Sequence, residues 1–104
     1  MTRYDRAIEA LKTGDHTMKV FGQSMKPIIE SGSALTFRAT DDYSVGDVVL
    51  SRVKGRWIDA HKIVKIDSKE CYLIANNRGR ENGWTKQVFG RVIAVNGESF
   101  GRPT

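Results

Sequence analysis

The 104-residue sequence has a single cysteine, Cys71. An internal disulfide is therefore excluded, as is any zinc site built on paired cysteines, and no cofactor is expected. Nothing asks for an oxidising compartment, and a reducing cytoplasm suits the chain. Apolar runs are short throughout. None approaches the roughly 18 to 20 residues that cross a bilayer, and the N-terminus lacks the apolar segment of a secretion signal. Repeats, linkers and low-complexity stretches are also missing. Residues 1–104 are expected to form one domain, since a chain of this length buries roughly two-thirds of its unfolded surface in a single core and has no room for a second.

The composition is that of a globular domain, with 39% hydrophobic and 28% charged residues. Lys and Arg number 17 against 12 Asp and Glu, a net charge of +5 that is compatible with an acidic partner or with nucleic acid. Thr2 and Asp5 form a capping pattern, and Tyr4, Ala7, Ile8 and Leu11 follow at helical spacing before Gly14, which predicts a helix over 3–13. The period then changes to that of strands, predicted over 18–22, 34–39, 47–53, 56–67, 70–76 and 88–95. Turn residues separate them at Ser31-Gly32, Ser44-Val45-Gly46-Asp47, Lys54-Gly55 and Asp67-Ser68-Lys69. The expected fold is mainly β with one short N-terminal helix, and its 96–104 tail, rich in Gly and Pro, is expected to be loosely held.

The most informative segment is Gly22-Gln23-Ser24-Met25-Lys26-Pro27-Ile28-Ile29-Glu30-Ser31-Gly32. It puts a serine between a strand and a Pro-restricted turn, a placement that exposes a hydroxyl. A serine becomes a nucleophile when a base takes its proton and backbone N–H groups face the developing oxyanion, which tight turns supply. Taken alone, Ser24 reads as a turn or cap residue. The order of motifs along the chain changes this: Gly22-x-Ser24-Met25-x-Pro27, then Gly46-Asp47-Val48-Val49, then His61-Lys62-Ile63-Val64, then Gly90-Arg91-Val92. Over residues 18–95 this series resembles the signal peptidase and LexA-like serine peptidases.

The resemblance implies an antiparallel β-sheet domain like the C-terminal domain of LexA or a signal peptidase, with Ser24 as nucleophile. The residue that opens the His61-Lys62-Ile63-Val64 box is a lysine in bacterial signal peptidases and LexA-type proteins, and a histidine in the archaeal and endoplasmic-reticulum signal peptidases. His61 therefore carries over as general base, in the Ser-His manner of the latter but without a membrane anchor. Lys62 is a rival base, but neighbouring strand residues point to opposite faces, so only one of the two looks toward Ser24.

Two departures stand out. Histidine-type members carry a Gly-Asp-Asn-Asn motif, whereas Leu73-Ile74-Ala75-Asn76-Asn77 puts Ala75 where a base-orienting carboxylate is expected. Glu81, at the place of a second family Asp, is the candidate orienter, with Asp59 as another because it shares His61's strand face. Gly22 replaces the hydroxyl residue that some bacterial enzymes use as an extra oxyanion donor. The oxyanion hole and substrate-binding surface then fall to Gln23, Ser24, Met25 and Pro27, chiefly to the Ser24 N–H.

The expected function is a soluble serine endopeptidase that binds an extended peptide or protein as an added strand, with small side chains beside the scissile bond as the resemblance implies. The sequence holds no DNA-binding domain and no Ala-Gly pair, so repressor-type self-cleavage is not expected. The alternative is a peptidase fold kept as a peptide- or protein-binding module, marked by the missing carboxylate at Ala75. Nucleic-acid binding through Arg78, Arg80, Trp84 and Lys86 rests on charge and one aromatic alone.

Overall fold

The computed structural model describes residues 1–103. The capping pattern forms as the sequence predicts. Thr2 Oγ1 accepts from the Asp5 N–H, and the Asp5 carboxylate accepts from the Thr2 N–H, which satisfies two otherwise open donors at the start of α1 (Arg3–Leu11). The helix ends two residues earlier than expected because the Thr13 and Gly14 N–H groups both turn back to the Ala10 carbonyl. Ala7 and Leu11, one turn apart, form its buried face.

Among the described residues eight strands follow: β1 (His16–Lys19), β2 (Ala34–Arg38), β3 (Val48–Val53), β4 (Arg56–Ile66), β5 (Tyr72–Ala75), β6 (Glu81–Thr85), β7 (Val88–Val95) and β8 (Glu98–Ser99). The sequence predicts six of these, the first of them over 18–22 where the strand is His16–Lys19; β6 and β8 are additional. All pairs are antiparallel, in the order β1-β2-β7-β3-β4-β5-β6, with β8 on β7. The mainly β architecture with one short helix is therefore the observed one.

The apolar run at the start of β3 explains its central place. Val48 and Leu50 face one cluster with Ala7, Leu11, Phe37 and Val92, whereas Val49 and Val53 face a second with Ile63 and Ile74. A strand buried on both faces reads as a continuous apolar stretch rather than an alternating one. Arg3 and Tyr4 dock the helix by another route, through Asp59 on β4, and the Tyr4 ring stacks on Trp57 with centroids 4.9 Å apart.

The tail differs from the expectation. Asn96 and Gly97, both with positive φ, form a two-residue turn that folds β8 back onto β7. Arg102 then pairs with the buried carboxylate of Asp47 at 2.9 Å, and Arg91 donates to the Arg102 and Pro103 carbonyls at 3.3 and 3.4 Å. Residues 96–103 are thus tied down by one ladder and one ion pair. Among the described residues no helix is long and apolar enough to cross a membrane.

Candidate active site

The chain leaves the sheet after β1 and returns at β2, and this excursion carries Ser24. Its ends are clasped by two backbone bonds, from the Val20 N–H to the Ser33 carbonyl and from the Gly32 N–H to the Val20 carbonyl. Gly22, at φ 119°, makes the exit in a conformation that side chains disfavour. The turn is then pinned from below: Met25 and Ile29 are buried, and the Ile29 N–H donates to the Met25 carbonyl. Ser24 is left half-buried at the top of this turn, while Gln23 and Pro27 are exposed beside it.

His61 comes from β4, next to a local irregularity. Leu50 alone lies between Val49 and Ser51 on β3, but Asp59 and Ala60 both lie between the partners of those residues, Ile58 and His61. Such a bulge re-aims the side chains that follow it. The structure brings the two segments together, with Ser24 Oγ 2.9 Å from His61 Nε2. On the other side of the ring, His61 Nδ1 lies 2.7 Å from Asn82 Oδ1, on β6.

The other candidates fall elsewhere. Lys62 turns away from Ser24, its Nζ 3.4 Å from Asn77 Oδ1. Asp59 is occupied by Arg3, at 2.7 Å, and by the Tyr4 hydroxyl. Burial and the neighbouring Asp59 carboxylate push the Tyr4 phenol up, which keeps it a donor. Glu81, expected at His61, is exposed and in register opposite Ala75, and Asn82 stands at the ring instead. Ala75 is buried and paired with Lys62, so a carboxylate there would share the face of Lys62 rather than that of His61.

Asn76 and Asn77 have separate tasks. Asn76 Oδ1 accepts from the Arg78 and Arg80 N–H groups and shapes the loop between β5 and β6. Asn77 holds the serine turn: its backbone N–H donates to the Ser24 carbonyl and its Nδ2 to the Lys26 carbonyl, both at 2.9 Å. Asn77→Ala keeps the first bond and strands the Lys26 carbonyl. A loss of about 1–2 kcal/mol in a urea unfolding titration is expected, and an unchanged midpoint would show that the side-chain bond to Lys26 carries no stability.

A cavity of about 280 Å³ opens beside the pair, between Val20-Phe21-Gly22 on one wall and Trp57 to His61 on the other, with Met25 and Ile29 among its lining. Among the described residues no strand pairs with the outer flank of β4 over residues 57–61, because the β5 ladder begins only at Lys62. The cavity therefore runs along an open strand edge. The family model described as Peptidase S24-like matches residues 2–98. The chain belongs to that family. No curated protein matches it. The match spans the S24-like sheet from α1 through β7 and into β8, so the serine turn, the β4 histidine and the hairpin that carries Asn77 and Asn82 all lie inside the family's own domain.

Proposed function

We propose that this peptidase-fold protein is a serine endopeptidase in which Ser24 is the nucleophile and His61 the general base. The 2.9 Å approach of Ser24 Oγ to His61 Nε2 carries the reading, since hydrogen-bond reach between nucleophile and base is the first requirement of the chemistry. Nε2 accepts the hydroxyl proton as Oγ attacks the scissile carbonyl. The imidazolium then gives that proton to the leaving amine, and a water molecule, activated the same way, releases the acid product and restores the serine. Among the described residues no group accepts from the Ser24 N–H, which leaves it free for the oxyanion.

The substrate is read as an extended peptide lying between the Val20–Gly22 wall and the unpaired flank of β4, where backbone pairing supplies affinity. A side chain next to the scissile bond enters the cavity above Met25 and Ile29. The test is a fluorophosphonate probe followed by peptide mapping. One adduct, on Ser24, is expected in the wild type and none in Ser24→Ala. Equal labelling of both proteins would remove Ser24 from the mechanism.

A further inference from the structure

An imidazole serves as a base toward Ser24 only if its proton sits on the far nitrogen. A neutral ring protonated on Nε2 would point an N–H at Oγ and have no lone pair there to accept with. The wall behind His61 therefore decides whether the pair works. That wall is Asn82 Oδ1, 2.7 Å from Nδ1. A carboxamide oxygen accepts and never donates, so this contact calls for a proton on Nδ1 and turns the Nε2 lone pair toward Ser24, 2.9 Å away.

The backbone is built to deliver Asn82 there. Along the β5–β6 ladder Ile74 faces Gly83 and Ala75 faces Glu81, so Asn82 is the one extra residue of a bulge. Gly83 follows at φ 132°, and a side chain on it would meet Val53 and Lys54 atoms at 3.3 Å. A strand that kept register through this point would have no unpaired residue to turn onto the ring.

We infer that Asn82 is the positioning residue of this site, fixing His61 as its Nδ1–H tautomer where other serine–histidine enzymes use a carboxylate. The inference deepens the peptidase reading and rests on it for its catalytic meaning. It assigns the hairpin a double duty, because the same hairpin holds the serine turn through Asn77.

Nitrogen-15 NMR of the His61 ring tests this without any substrate. It is run near pH 8.5, about two units above the ordinary imidazole value, with the signals identified by their loss in His61→Gln. The wild type is expected to carry its proton on Nδ1. Asn82→Ala is expected to shift it to Nε2, the form free histidine prefers, and to slow fluorophosphonate labelling of Ser24 by about 10²- to 10⁴-fold. Asn82→Asp, which keeps the acceptor, is expected to hold Nδ1–H and to label within about tenfold of the wild type or faster. A wild-type ring protonated on Nε2 overturns the inference, as does an Asn82→Ala ring that keeps Nδ1–H. If Asn82→Ala fails to fold, the wild-type and Asn82→Asp tautomers decide alone. Tautomers as expected with Ser24 inert to the probe in every protein would sink the peptidase reading and leave the hold of Asn82 on the ring intact.

Discussion

Ser24→Ala and His61→Ala are each expected to abolish probe labelling and to cut peptide cleavage on the order of 10⁵- to 10⁶-fold, and the double variant is expected to be no worse than either. The reason is that the proposed mechanism makes one unit of the two side chains, which lie 2.9 Å apart. Without Oγ there is nothing for Nε2 to activate, and without Nε2 the hydroxyl keeps its proton and stays a weak nucleophile. Additive losses in the double variant would mean that the two residues act on separate steps. Lys62→Ala is the control on register, and its rate is expected to stay within about threefold of the wild type. Lys62 adjoins His61 in sequence, but its ammonium goes to Asn77, not to the serine. A dead Lys62→Ala beside an active His61→Ala would overturn the assignment of the base. Circular dichroism and thermal melts of all four variants separate these results from unfolding, since Ser24, His61 and Lys62 all lie outside the apolar clusters.

The two residues that meet at 2.9 Å were legible in the sequence because each sits in a motif that keeps its order along the chain. Asn82 was not legible. Glu81-Asn82-Gly83-Trp84-Thr85 has no alternation and a glycine at its centre, so it reads as a polar loop, and β6 exists because β5 offers it a ladder edge. The same fact hid the orienting residue: a bulge position is set by the register of two strands, which no local pattern announces. The absent carboxylate at Ala75 misled for a related reason. Its place in the motif was visible, but its pairing with Lys62, on the face away from His61, was not. The tail is a different case, since Asn96-Gly97 between Val95 and Glu98 is a recognisable hairpin turn that a judgement from Gly and Pro content passes over.

Two phenylalanines separate what holds the fold from what lines the site. Phe37→Ala is expected to destabilise the protein by about 3–5 kcal/mol, the range for emptying a buried aromatic position. Phe37 is fully buried, pairs with Val92 across the β2–β7 ladder and belongs to the cluster that joins α1 to β3. Domains of this size are stable by about 5–15 kcal/mol in all, so the loss is a large share of the total. Each kcal/mol corresponds to about 4–8 °C in a domain of roughly this length, which places the fall in melting temperature at about 12 °C or more. Phe21→Ala removes the same atoms from a side chain that is 69% exposed, on the wet side of the segment that begins as β1, where Thr17 and Lys19 also face solvent. Its melting temperature is expected to move by no more than a few degrees, since surface substitutions usually stay within about 0.5 kcal/mol. Its effect is expected at the cavity wall instead, as a raised KM for a peptide substrate with kcat little changed, because the ring lines the cavity proposed to take the peptide and is not one of the proposed reacting groups. A Phe21→Ala protein with an unaltered KM would put the peptide elsewhere than along this wall, and a Phe37→Ala protein that melts with the wild type would show that the helix-facing cluster is not what sets stability.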